Sequence, residues 1–234
     1  MSQFCFFLLC ILNQVLYLDG NAQDTIIIKK SFVIDYTKDR EARKKAYEEM
    51  HITAFDECVD FTVWDKPKYK AANTAANADY LTPEEKKVYY YLNLMRLNPS
   101  LFADTYLHHL LNCTDYYPRS LIRDLRQLKK KPLLYPDRKL YESAKCHAIE
   151  SGERGYHGHD RIHCPEDFTA ECCEYGDDDA WRIVMNLLID EGVSSLGHRY
   201  ACMTDYDRLG VSIQPHKTSE FNAVLDFGYS SENR

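Results

Sequence analysis

Within the part of the chain past residue 80, strand-forming sequence comes late, and that order constrains the fold more than any other feature. Past residue 80 the segments 82–96, 99–111, 121–130, 137–154 and 177–188 show helical signals. Strand signals are confined to 168–175, 209–214 and 222–227. Three strands, the last two joined as a hairpin, are too few and too late for βαβ winding. We therefore predict an α+β fold in which helices cover a small antiparallel sheet.

Local start signals place several of these helices. Thr82-Pro83-Glu84-Glu85 combines a threonine cap, a proline at the first helical position and a glutamate that can close a capping box. Asp137 is in position to cap the helix of 137–154, and the aspartates 177–179 complement the dipole of the next helix. We predict a linker or a short helical turn in the small-residue tract 71–78 and a domain boundary near Asp79.

The N-terminal segment is predicted to be a signal peptide. Phe4 to Leu18 is apolar apart from Asn13 and Gln14, and the small residues of Gly20-Asn21-Ala22 suit cleavage. The apolar block is shorter than the about 20 residues of a membrane-spanning helix, so we expect no transmembrane segment in the mature chain. We assign 1–22 to the signal peptide, 23–78 to an extension of strand, charged helix and linker, and 79–234 to the main domain.

Charge and cysteine content limit the class of protein further. The formal net charge of −7 becomes −6 without residues 1–22, and no basic stripe is present, which argues against a nucleic-acid partner. Seven cysteines follow residue 22. In a secreted or periplasmic protein they predict disulfides, and their odd number leaves at least one thiol without an intrachain partner.

Histidines and carboxylates recur in three separate segments that could converge on a site. They are Gly155-Tyr156-His157-Gly158-His159-Asp160, Ala170-Glu171-Cys172-Cys173, and the stretch 187–199 that carries Asp190, Glu191, His198 and Arg199. Groups of this kind form metal or acid–base sites. In an extended strand Glu171 and Cys173 point one way and Cys172 the other.

The pieces of sequence around these residues resemble the CAP superfamily, which contains cysteine-rich secretory proteins, antigen 5 and pathogenesis-related proteins, and most of all its bacterial members. The matching pieces are 93–99, 143–148, the Gly-His loop, Ala170-Glu171, 195–199 and 209–212, in the order of the family. The resemblance covers about Leu81 to Tyr229 and implies a three-layer α-β-α sandwich with a central cleft.

By position, the resemblance implies a cleft lined by His159, Glu171, Asp190 and His198. His157 competes with His159 for its place, and Glu191 competes with Asp190. We interpret Arg199 as an ion-pair partner of a carboxylate rather than a catalytic group, and His147 as a packing residue. Cys173, on the same strand face as Glu171, is the one cysteine to test as a nucleophile, although packing or a disulfide is the stronger interpretation.

Three functions stay open at this stage. The first is an exported binding module whose cleft holds a small or lipid-like ligand, or a divalent cation such as zinc with His159 and His198 as ligands. The second is a hydrolase that activates water through a metal or through Glu171 or Asp190 as base. The third is a scaffolding role in which residues 23–78 dock a partner. Whether the protein is an enzyme is not decided by the sequence.

Overall fold

The computed structural model describes residues 59–230, and before them only two short paired strands, β1 (Leu16–Tyr17) and β2 (Ile27–Ile28). Most of the predicted signal peptide, the charged helix within the extension and Cys58 lie outside the described residues. The predictions for those segments stay predictions.

The described part begins with a short 3-10 segment, Phe61–Asp65, and α1 (Pro67–Lys70). The elements that follow are α2 (Pro83–Leu97), α3 (Pro99–Thr105), a 3-10 segment (His108–Leu110), α4 (Tyr116–Gln127), β3 (Tyr135–Pro136), α5 (Arg138–Arg154), β4 (Ala170–Tyr175), α6 (Ala180–Ile189), α7 (Gly197–Met203), β5 (Arg208–His216) and β6 (Glu220–Gly228). No helix within residues 59–230 is long and apolar enough to cross a membrane.

The helix starts that were predicted from capping residues are confirmed. The Thr82 hydroxyl accepts a hydrogen bond from the Glu85 amide, and the Glu85 carboxylate accepts one from the Thr82 amide, which closes the capping box of α2. Asp137 caps α5, and Asp179 caps α6 by accepting from the amides three residues on. These capping interactions lie within one helical turn, so the local sequence was sufficient to predict them.

Three helix predictions differ from the structure. Helix α4 spans Tyr116–Gln127 rather than 121–130, and Pro118 lies in its first turn, where a helix tolerates proline. Regular helix α3 ends at Thr105 rather than near Leu111, and the chain continues as the 3-10 segment, although Leu107 and Leu110 keep the predicted apolar stripe buried. The Gly-His-Arg segment, interpreted as a turn, begins α7. Its first amides bond to Asp190, a cap eight or more residues upstream that short-range sequence signals do not reveal.

The sheet has the strand order β3-β5-β6-β4. The predicted hairpin of β5 and β6 is confirmed, and β4 pairs antiparallel with β6. The fold is thus a mixture of helices and one sheet, compatible with α+β. The sheet is mixed rather than wholly antiparallel, because the two-residue β3 pairs parallel with β5. Sequence patterns do not resolve so short a strand.

Helices cover both faces of this sheet. Cys172, Val211 and Leu225 belong to the large apolar cluster that also holds residues of α2 and α6. Cys173 and Val224 face the other way and form a small cluster with alanines of α5. The predicted orientation of Glu171 and Cys173 away from Cys172 is therefore confirmed. Glycine at 210 permits close packing of α5, since a Cβ there would lie 2.1 Å from the Leu140 carbonyl carbon.

Residues 59–78 pack against the main core. Trp64, Tyr69, Ala72 and Ala75 are buried in the large cluster, and the Asn93 amide on α2 donates to the Ala72 carbonyl at 3.1 Å. The tract 71–78, predicted as a linker or a short helical turn, is therefore packed at Ala72 and Ala75, because small side chains let it lie close to α2. The domain boundary near Asp79 stays a prediction.

One disulfide joins Cys146 on α5 to Cys164 in the following loop, and Cys113 is disulfide-bonded as well. Cys172, Cys173 and Cys202 are buried free thiols. A disulfide is typical of proteins that fold in an oxidising compartment, which is consistent with export.

Candidate functional site

The loop after α5 positions the first histidine of the site. Helix α5 ends at Gly155, whose φ of +64° suits glycine, and the disulfide to Cys164 closes the loop further on. Between these points Gly158 is held on two sides. Its amide donates to the Tyr175 hydroxyl at 2.8 Å, and its carbonyl lies 3.0 Å from His147 Nε2. The neighbouring His159 is thereby placed over strand β4.

His159 and Glu171 form the first carboxylate–imidazole pair. His159 Nδ1 lies 2.7 Å from Glu171 Oε1, and the carboxylate is buried while 57% of the His159 side chain is exposed. The hydrogen bond to Glu171 raises the pKa of His159. Burial acts to raise the pKa of Glu171, but the hydrogen bonds from His159 and Arg161 outweigh burial, so the pKa of Glu171 is lowered.

Arg161 joins Glu171 to a second buried carboxylate. Glu171 and Asp226 are register partners across β4 and β6, and the Arg161 Nη2 bonds to both, at 3.0 Å to each Asp226 oxygen. Asp226 also accepts from the Ser143 hydroxyl at 2.6 Å. Burial raises the pKa of Asp226 to about 7, against the opposing effect of Ser143 and Arg161. The Arg161 guanidinium therefore binds two carboxylates, and Asp226, whose pKa is raised, is the one more readily protonated.

Asp190 and His198 form the second pair. Helix α6 ends at Asp190, whose φ of +56° turns the chain sharply, and aspartate is among the residues that tolerate this conformation. One oxygen of Asp190 lies 2.8 Å from His198 Nδ1, and the other accepts from the His198 and Arg199 amides. The buried carboxylate thus orients the ring and caps α7 at the same time.

The two pairs face one another. The ring centroids of His159 and His198 are 6.5 Å apart, and 23% of the His198 side chain is exposed. A carboxylate can only accept, so Nδ1 of each ring carries a proton and Nε2 of a neutral ring keeps its lone pair. This is the arrangement in which a carboxylate orients a metal-binding or basic histidine.

The predicted alternatives for the site residues lie in different surroundings. His157 Nε2 lies 2.8 Å from the Ser219 hydroxyl, and its ring packs on Tyr175 and His216, apart from the facing pair. The carboxylate hydrogen-bonded to His198 belongs to Asp190, the residue before Glu191. Arg199 is fully buried and pairs with Asp124, as its interpretation as an ion-pair partner predicted.

A second group of possible metal ligands includes Glu171, the hydrogen-bond partner of His159. Atoms of His147, Glu171 and Cys173 lie within 4.8 Å of one another, so this group could hold a metal ion. The chemistry of the donors fits poorly, since Arg161 and His159 occupy the Glu171 oxygens and burial raises the pKa of the Cys173 thiol. The same raised pKa argues against Cys173 as a nucleophile.

Sequence reasoning missed Arg161, Asp226 and the role of Ser143. A signal for Asp226 was present, because an aspartate inside the otherwise apolar run Ala223-Val224-Leu225-Asp226-Phe227 needs a buried partner. The pairing of that aspartate with Glu171 depends on strand register, and the reach of Arg161 depends on the loop path. Neither follows from residue spacing.

Comparison with known proteins adds little to this geometry. No protein-family model matches the chain, and no curated protein matches it. Among solved structures, the crystal structure of hookworm platelet inhibitor is similar over 65% of this chain and 73% of its own chain, with 14% sequence identity and a TM-score of 0.36. A likeness of that size is too weak to argue a shared function.

Proposed function

We propose that this chain is an exported domain with a CAP-like three-layer α-β-α sandwich, and that it binds a divalent cation or a small ligand between His159 and His198. The observation that carries the proposal is the pair of facing imidazoles, each with Nδ1 hydrogen-bonded to a buried carboxylate. Nε2 of each neutral ring is then an acceptor, and both side chains are at least partly exposed.

Zinc is the cation that this donor set favours. Imidazole nitrogen is a preferred zinc ligand, and a carboxylate on Nδ1 of each ring leaves Nε2 as the atom that can bind the cation. Two nitrogens on one zinc lie within about 4 Å of each other. The exposed His159 side chain must therefore turn toward His198, whereas Asp190 holds His198 from two directions. A bound cation would supply Lewis-acid chemistry at this surface.

Calorimetric titration of zinc into the untagged, metal-stripped protein tests the proposal. We expect one site per chain at pH 7.5, and at least 10-fold weaker binding for His159→Ala and for His198→Ala. His157→Ala is the matched control, because that histidine belongs to the same loop but bonds to Ser219. Unchanged binding in the His198→Ala variant would remove the cation from the proposal.

The buried donor group predicts a different pattern in the same titration. If His147, Glu171 and Cys173 held the ion, Cys173→Ser would weaken binding and His198→Ala would not. Binding at His159 and His198 leaves Cys173→Ser unchanged. If the wild type binds no zinc, the cation is removed from the proposal and a small or lipid-like ligand is left. Titration of the protein with such ligands then tests the remaining proposal.

Hydrolysis is the second candidate function, and the same pairs favour it. A neutral imidazole backed by a carboxylate is a general base that can take a proton from water, and two such bases face the same surface. A screen of peptide and ester substrates tests this function. The double variant His198→Ala/Glu171→Gln should lose turnover on any substrate that the wild type cleaves, and retained turnover would exclude this role.

A further inference from the structure

A surface turn carries an asparagine in the sequence pattern that accepts N-linked sugar. Asn112-Cys113-Thr114 matches asparagine, any residue except proline, and then serine or threonine. Asn98-Pro99-Ser100 has the same spacing of asparagine and hydroxyl, but the excluded proline lies between them. The sequence therefore offers a single acceptor pattern. A pattern this short recurs by chance, so a usable acceptor must also lie at the surface of the protein.

The structure places this pattern in a turn between two helical segments. The 3-10 segment ends at Leu110, and helix α4 begins at Tyr116. Asn112 and Thr114 are both exposed, whereas Cys113 between them is buried and disulfide-bonded. The Cys113 amide donates to the Leu110 carbonyl at 3.0 Å. The buried cysteine thus anchors the turn, and the residues before and after it are left at the surface.

Other asparagines use their side-chain amides inside the protein. The Asn93 Nδ2 donates to the Leu134 carbonyl at 3.0 Å, and the Asn98 Nδ2 lies 2.9 Å from the Tyr69 hydroxyl. A bulky sugar on either nitrogen would break these contacts. Neither residue belongs to an acceptor pattern, whereas Asn112 does and is exposed. A glycan at Asn112 would extend into solvent without displacing buried side chains.

We propose that Asn112 receives an N-linked oligosaccharide while the chain is exported. The co-substrate is an oligosaccharide joined to a lipid through pyrophosphate. The side-chain amide nitrogen attacks the anomeric carbon of the first sugar, and the bond from that carbon to the pyrophosphate oxygen breaks. The amide loses one proton as the C–N bond forms, and the lipid pyrophosphate leaves, so no oxidant or reductant takes part. Thr114 supplies the hydroxyl that the pattern requires.

This inference rests on the export part of the proposed function, because the lipid-linked sugar reaches only a chain that crosses a membrane. A glycan is bulky and hydrophilic and increases solubility. Attached at Asn112, it would lie one turn before α4 begins at Tyr116, which is 58% exposed. The glycan would therefore shield this end of α4 from contact with other chains.

Secretion of the full chain from cultured animal cells tests the inference. Peptide N-glycosidase removes such glycans and converts the acceptor asparagine to aspartate. Digestion in heavy-oxygen water therefore labels the acceptor for peptide mass spectrometry. We expect the secreted protein to migrate faster on a gel after digestion, with the label at Asn112. Secreted wild type that has formed the Cys146–Cys164 disulfide but carries no glycan would overturn the inference.

Four variants assign the glycan to this pattern. Asn112→Gln and Thr114→Ala should each abolish the gel shift, since each removes one group that the transfer requires. Thr114→Ser keeps the hydroxyl and should keep the glycan. Asn77→Gln is the matched control, because Asn77 is exposed but lies outside the pattern. A glycan that persists in Asn112→Gln would contradict the assignment, and the label in the wild type decides even where a variant is not secreted.

A parallel chain separates this inference from the proposed function. In it the leader of a known secreted protein replaces residues 1–22, the predicted signal peptide. Retention of the full chain inside the cell would contradict export by its own leader. A labelled Asn112 in the secreted parallel chain would still support the acceptor site, and an unlabelled one would overturn it.

Discussion

Replacing Arg161 by methionine removes the cation that lies between Glu171 and Asp226. The side chains of all three residues are buried, with exposures of 2% or less. Methionine keeps part of the apolar stem that packs on Phe168 and removes the guanidinium. The substitution therefore tests the ionic network with a limited loss of packing.

The expected loss of stability follows from burial. Removing one partner of a buried ion pair typically costs about 3–5 kcal/mol. Glu171 keeps its hydrogen bond to His159, and Asp226 keeps that to Ser143, so the lower end of this range applies. We expect a loss of about 3 kcal/mol in the free energy of unfolding at pH 8.

The loss should depend on pH. Asp226 has a pKa raised from 3.8 to about 7 in the folded protein, so the folded state binds more protons than the unfolded state between these values and stability falls as pH rises through them. Without Arg161 the folded pKa of Asp226 rises further, and stability continues to fall above pH 7. The difference between wild type and variant should thus be about 1–2 kcal/mol smaller at pH 5.5 than at pH 8.

Urea denaturation of wild type and variant at both pH values measures these differences. Arg126→Met is the matched control, since Arg126 and its partner Asp104 are both more than half exposed and the pair should contribute less than about 1 kcal/mol. Equal losses for the two variants would refute the buried network. A loss for Arg161→Met that does not change with pH would refute the role assigned to Asp226.

Three further perturbations test the site and its support. Cys146→Ser removes a disulfide of sequence separation 18, and thermal melting should show that the free energy of unfolding falls by about 3 kcal/mol. An unchanged stability would mean that other contacts alone hold the loop. Glu171→Gln should lower the pKa of His159 in an NMR titration, because the carboxylate raises that pKa; an unchanged value would contradict the pairing. Gly210→Ala should lower the free energy of unfolding by about 3 kcal/mol in denaturant titrations, since its Cβ would overlap the α5 backbone. The control Gly197→Ala should lower it by less than about 1 kcal/mol, because its Cβ would meet only a side-chain oxygen at 3.5 Å. Similar losses for the two variants would argue against close packing of α5 on the sheet.

Sequence patterns predicted those features whose causes lie within a few residues. The capping box of α2 needs only positions 82–85, and the alternation of β4 needs only the geometry of an extended chain. Helix α7 was missed because its cap, Asp190, comes from the end of another helix. The strand β3 was missed because two residues carry no periodicity.

The same distinction between local and long-range causes applies to the candidate site. His159, Glu171, Asp190 and His198 were predicted as a set through a resemblance to a family, and residue chemistry alone left His157 and Glu191 as alternatives. Arg161 and Asp226 could not be linked to the site, because each meets Glu171 only through the loop path and the strand register.

By itself, the sequence determined where the capped helices α2 and α5 begin and which residues of β4 share a face. Those properties depend on backbone geometry and composition, which act locally. Tertiary structure decided which carboxylate meets which imidazole and which arginine neutralises the buried acids. Such contacts depend on strand pairing and helix packing, and these bring together residues as far apart as Arg161 and Asp226.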